Sequence, residues 1–167
     1  MITPEYCKFM ARYNAWQNGQ LGKALESLTE EALHMDRGAF FSSLMGTANH
    51  LLWGDTLWIS RFDGLAGPAS IEITQSTTLM PSLADWTMER FRIDGRISKW
   101  ARAVRQLDLI GDLTYYSGSA EREMTLSKQT CVLQMFNHQT HHRGQLHAML
   151  GAAGAPMPVT DIPMLPE

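Results

Sequence analysis

The chain has 167 residues, 44% hydrophobic and 19% charged, with five Trp and eleven Met. That composition supports one domain spanning 1–167 that buries about 70% of its unfolded-chain surface, and it excludes a disordered or low-complexity chain. A net charge of −3 argues against a broad phosphate-neutralising surface, and no run approaches the ~18 apolar residues of a membrane span, so neither nucleic acid nor membrane is an expected partner.

Thr3, Pro4 and Glu5 form a helix-start signature: a capping hydroxyl, a residue with preset φ and a carboxylate near the positive end of the helix dipole. The spacing predicts helix one to about Leu28, with a buried stripe of Tyr6, Met10, Tyr13, Gln17, Leu21 and Leu25 and with Asn14 beside Tyr13. Thr29-Glu30-Glu31 opens a short helical turn before Gly38. Helix two is expected from about Phe41 to Phe62, with His50 on its flank, and Gly46 and Gly54 within it permit close helix contact at a cost in propensity.

Gly64 to Met80 reads as a long loop. Helix three, about Ser82 to Leu107, places Trp86, Ile93, Ile97, Trp100, Val104 and Leu107 along one seam. The same helix carries Arg90, Arg92, Arg96, Lys99, Arg102 and Arg105, which read either as a solvated face interleaved with Asp85, Glu89 and Asp94 or as an anion-binding surface. Leu113 to Leu126 alternates towards period two around Ser117-Gly118-Ser119, which predicts a β-hairpin. Ser127 caps helix four, which should reach about Ala153 and stop at Gly154, leaving a proline-rich extended tail. The fold class is therefore all-α, a four-helix bundle with a small hairpin between helices three and four.

Cys7 and Cys131 lack CxxC partners and read as small core residues of a reducing cytoplasm. Met1 to Ala11, with Glu5 and Lys8, does not resemble a signal peptide, so a cytoplasmic location is expected.

The chemistry concentrates in helix four, where NHQTHHRGQ runs from Asn137 to Gln145. His138 and His142 lie one turn apart, a spacing that can supply two imidazole nitrogens from one rigid face. His50 is the preferred third ligand because it alone of the histidines outside helix four lies in a core-forming helix, whereas His34 sits in a polar connector. Two readings stand on these residues: core histidines with satisfied hydrogen bonds, or a site for one divalent metal per chain with positions open to water or substrate. The donor set does not select among zinc, nickel, manganese and iron. Position 139 is Gln, so the motif is not the HExxH of zinc peptidases, and nucleophile-elbow, phosphate-loop and dinucleotide motifs are absent.

YNAWQN at Tyr13 to Asn18, the run FFSSLMGTANHLLWGDTLWISRFDG from Phe40 to Gly64, and NHQTHHRGQ with the following LGAAG resemble the DinB/YfiT-like family of damage-inducible four-helix-bundle proteins. The resemblance covers nearly the whole chain in order. It implies a bundle with an unusual crossover order, a divalent metal on His50, His138 and His142, and a homodimer. Relatives include thiol S-transferases using bacillithiol, mycothiol or glutathione, which implies a metal-dependent transfer of a low-molecular-weight thiol to an electrophile. Metal-dependent hydrolysis and a non-catalytic, stress-responsive metal-binding scaffold are the alternatives, and no catalytic side chain is identified. Asn14 reads as a hydrogen-bonding residue near the ligands or between helices. Asp55 reads as an orienting partner for His50 or a surface charge, Tyr115 or Tyr116 as pocket-lining from the hairpin, and Gln145 as a neighbour on the His142 face.

Overall fold

Hydroxyl side chains start every α-helix described in the computed structural model, which describes residues 2–167. Thr3 accepts from the Tyr6 amide at 3.1 Å to open α1 (Pro4–Glu26), and Thr29 accepts from Ala32 to open the short α2 (Glu30–His34). Ser43 accepts from Gly46 at 3.0 Å at the head of α3 (Leu44–Asp63), and Ser82 from Asp85 at α4 (Leu83–Ala103). Ser127 accepts from Thr130 at α5 (Lys128–Ala152). Each such cap satisfies an otherwise orphaned helix amide and contributes about 1 kcal/mol. Gly64 and Gly154 end α3 and α5 at φ of 71° and 70°, left-handed backbone that glycine adopts without strain.

The four long helices pack in the ring α1, α4, α3, α5, so that helices adjacent in sequence are not always adjacent in space. Trp86, Phe136, Leu25, Leu51, Leu52, Ile59, Ile93 and Met135 are buried between them, each contributing about 1.5–3 kcal/mol through removal of apolar surface from water. An antiparallel hairpin, β1 (Asp112–Ser117) paired with β2 (Arg122–Ser127), precedes α5 with Tyr115 opposite Met124. The expected all-α bundle with one hairpin is thus the observed fold. No helix among the described residues is long and apolar enough to cross a membrane.

Three local expectations differ. Helix three ends at Ala103 because Val104 turns to extended backbone, and Leu107, expected on the seam, is 73% exposed in a short 3-10 turn. The segment after α3 is not wholly irregular, since Ile73–Thr78 form a 3-10 helix. The basic residues of α4 are not one solvated face: Arg90 is buried against Asp55 and Asp94, and Arg96 reaches Asp63 of α3 through two hydrogen bonds of 2.7 Å.

Candidate metal centre

His50 sits in the second turn of α3, and His138 and His142 lie one turn apart on the face of α5 that packs against it. One ring nitrogen of each lies within 4.8 Å of the others, and His50 Nε2 stands 3.2 Å from His138 Nε2. Imidazoles bound tetrahedrally at 2.0–2.1 Å place their nitrogens roughly 3.3 Å apart, so this spacing fits one shared cation.

The outer nitrogens define which atoms point inward. Ser76 has a single hydroxyl proton, which it donates to the Ile73 carbonyl at 2.6 Å, so it accepts from His50 Nδ1–H at 2.8 Å. Gln145 Oε1, an acceptor, lies 2.8 Å from His142 Nδ1, which must therefore carry its proton too. Both arrangements leave Nε2 with a free lone pair directed into the cluster, the form a metal ligand requires.

Asn49 holds the Ser76 segment in place. Its side chain donates to the Thr77 and Met80 carbonyls and accepts from the Met80 amide. A residue adjacent to His50 on α3 thereby positions the loop that orients the His50 ring. Phe41 stacks on that ring at 3.9 Å between centroids, presented by a tight turn in which Ser42 takes a φ of 61°.

Gly54, one turn beyond His50, makes room for His138. A Cβ there would lie 2.5 Å from His138 Cε1 and 3.0 Å from its Nδ1. Glycine inside a helix costs about 1 kcal/mol relative to alanine, and here the missing side chain is the space the imidazole occupies.

Burial keeps all three imidazoles neutral. His50 is lowered to about 3, chiefly by desolvation and then by the adjacent His142 and His138. His138 and His142 are each lowered to about 4, by desolvation first and neighbouring imidazoles second. With folded pKa values below the ordinary 6.5, the unfolded chain binds protons that the folded chain refuses. Stability present above pH 6.5 is therefore lost as pH falls towards 4. Urea midpoints of the chelator-treated protein should fall between pH 7 and pH 4.5, and less so in a His50→Gln variant. An unchanged midpoint across that range would reject neutral burial of the cluster.

The other candidate residues divide. Gln145 touches His142, and half-buried Tyr115 lines the cavity beside the cluster. Tyr116 is 53% exposed on the opposite side of the strand and lines no part of that cavity. Asp55 reaches no imidazole and is no surface charge: fully buried, its carboxylate accepts from Arg90 at 2.6 Å and from Gln139 at 2.8 Å. Five residues along a helix rotate a side chain by roughly 140°, which turns Asp55 away from the face of His50. Asn14 is buried, and neither of its amide atoms finds a partner among the described residues. Ser76 and Asn49 had no assigned role in the sequence pattern, and Gly54 was read only as permitting close helix contact. Only the helical spacing of Gly54 from His50 carried a signal for it.

The cluster opens on a cavity of about 660 Å³ between α3, α5, the hairpin and the loop after α3. Its walls are mostly apolar and, among the described residues, include no Asp or Glu. Cys7 and Cys131 are buried away from it, and desolvation raises both thiols, Cys7 to about 11.

A bundle whose inward-facing imidazoles converge from two helices on an open cavity defines a helical protein able to hold one metal ion. The chain belongs to the DinB family, whose model matches residues 1–167. It is similar to Protein DinB of Bacillus subtilis (strain 168), at 27% identity over 152 residues covering 89% of this chain and 87% of that protein.

Proposed function

We propose that His50, His138 and His142 hold one divalent cation and that the site joins a low-molecular-weight thiol to an electrophilic small molecule. The observation that carries the reading is the convergence of three neutral imidazoles, with the Nε2 lone pairs of His50 and His142 facing the cluster, beside an open cavity. When bound, a divalent cation supplies Lewis acidity that lowers the pKa of a thiol or water in its open positions.

The chain's own residues support the thiol as nucleophile. Among the described residues no carboxylate lines the cavity to serve as general base, and a thiol, with an ordinary pKa near 8.5, needs far less help to ionise than water does. Ser76 and Gln145 fix the His50 and His142 rings, while Phe41 and Trp53 shield His50 from water. The Ser76 bond comes from the segment after α3 that Asn49 anchors, and the Gln145 bond from within α5.

Purified protein loaded with Zn²⁺, Ni²⁺ or Mn²⁺ should accelerate conjugation of glutathione or cysteine to a chromogenic electrophile, and chelation or His142→Ala should remove the acceleration. Background rates with every metal would reject the transferase. Turnover that persists without thiol would replace it with hydrolysis, and tight metal uptake without turnover with a scaffold. A homodimer belongs to the same proposal, and sedimentation velocity at a mass of one chain would reject that part.

A further inference from the structure

The cavity beside the histidines has a second polar feature. Arg61 on α3 lines it and is its only permanently charged side chain among the described residues. The guanidinium lies over the Trp58 ring at 4.6 Å and the Tyr115 ring at 4.0 Å, and its Nη2 donates to the Tyr116 carbonyl at 3.1 Å. Two aromatic faces and one carbonyl thus fix its plane before any ligand arrives. Desolvation lowers its pKa, in keeping with a charge drawn partly out of water.

A half-buried cation normally has a carboxylate beside it. The buried Arg90 and the largely buried Arg96 each have one, whereas Arg143, also buried, stands over the Tyr13 ring with neither Nη atom hydrogen-bonded among the described residues. Arg61 has none among the described residues. It also borders a smaller cavity of about 260 Å³ containing Asp108, but that carboxylate is already held by Nε and Nη2 of Arg105.

Position along α3 gives the ligand its shape. His50, Gly54, Leu57 and Arg61 recur at intervals of four, three and four residues, one helical stripe. Eleven residues advance the helix by ~16 Å, and side chains lean back towards the N-terminus, leaving roughly 10–16 Å between the imidazoles and the guanidinium. Trp53, Leu57, Trp58 and Leu126 are among the apolar residues lining the cavity.

We infer that Arg61 is the anion-recognition residue of this cavity and that its ligand is an elongated small molecule with an apolar body and a terminal carboxylate, bound with the carboxylate on Arg61. The inference rests on the proposed metal reading only for which end of the ligand reacts. Recognition of the carboxylate does not need the cation.

Titrations with 6-phenylhexanoate and its neutral counterpart 6-phenylhexanamide, followed by calorimetry and by tryptophan fluorescence, to which the cavity-lining Trp53 and Trp58 contribute, test it in chelated and in zinc-loaded protein. The carboxylate should bind tenfold or more tightly than the amide in both forms, the range of a charge-assisted hydrogen bond. Arg61→Met, which keeps an apolar stem against Trp58 and Tyr115, should erase the preference, and Arg61→Lys should retain part of it. The wild-type comparison stands even if a variant fails to fold. Equal binding of the two probes, or binding of neither, overturns the inference. So does a preference that requires zinc and survives Arg61→Met, because the carboxylate then sits at the histidines. A preference that persists in protein unable to take up zinc supports Arg61 while rejecting the metal reading.

Discussion

A Gly54→Ala variant is expected to lose stoichiometric uptake of a divalent cation almost as completely as His142→Ala, although it changes no ligand. Removing one of three imidazoles should weaken zinc binding by roughly 3 kcal/mol, about two orders of magnitude, if the apparent affinity of a structural zinc site is shared among its ligands. Gly54→Ala reaches the same end by displacement. The added methyl would lie 2.5 Å from His138 Cε1, a distance no carbon pair sustains, and the ring is the part free to move. Overpacking of this kind costs about 1–3 kcal/mol, so the bundle should still fold. Elemental analysis after dialysis against limiting zinc, paired with urea unfolding, separates the two effects. Wild-type zinc content in folded Gly54→Ala protein would show that His138 does not need the space it occupies, and would sink the assigned site.

That glycine marks how far the site was legible from residues alone. An i,i+4 histidine pair declares itself because a helix has one period, and His50 was identifiable because its segment alternates like a core helix. The features that orient the rings were less visible. Ser76 lies 26 residues beyond His50 in a polar segment, and loop closure brings together residues that no periodicity relates. Asn49 was hidden for the same reason, since its partners are carbonyls and an amide of that loop. The fold was more legible: hydroxyl caps at Thr3, Thr29 and Ser127 sit where expected, because capping is a local interaction. Leu107 failed for the opposite reason. It continued the spacing of a helix that had already ended at Ala103, and apolar spacing carries no stop signal of its own.

Arg90 is the sharpest case, and it carries the second large prediction. Flanked in sequence by acidic residues at helical spacing, it resembled an exposed ion-pairing residue, yet its side chain is only 3% exposed. Nη1 lies 2.6 Å from Asp55 Oδ2 on α3 and Nη2 2.7 Å from Asp94 Oδ1 on its own helix. Asn18 of α1 donates to Asp94 at 2.9 Å, and Gln139 of α5 donates to Asp55 at 2.8 Å. One guanidinium therefore links all four long helices. Replacing it with methionine leaves the buried Asp55 and the 12%-exposed Asp94 without the guanidinium that joins them, and breaking a buried pair in this way costs about 3–5 kcal/mol.

The sign of the pH dependence distinguishes this from simple loss of packing. Desolvation already raises both carboxyls above their ordinary pKa even with Arg90 present, and its removal must raise them further. A folded pKa above the unfolded value means that the folded chain takes up protons first. Arg90→Met should therefore regain stability as pH falls from 7 towards 5, at fixed zinc-free conditions, relative to the wild type. Because Gln139 adjoins His138 and Asp55 adjoins Gly54, loosening this link should also disturb the α3–α5 register that holds the imidazoles together, and zinc affinity should drop with stability. Urea unfolding across that pH range checks the first claim and zinc titration the second. A loss of less than about 1 kcal/mol, typical of an exposed ion pair, would mean that the charge network does not hold the bundle at its centre.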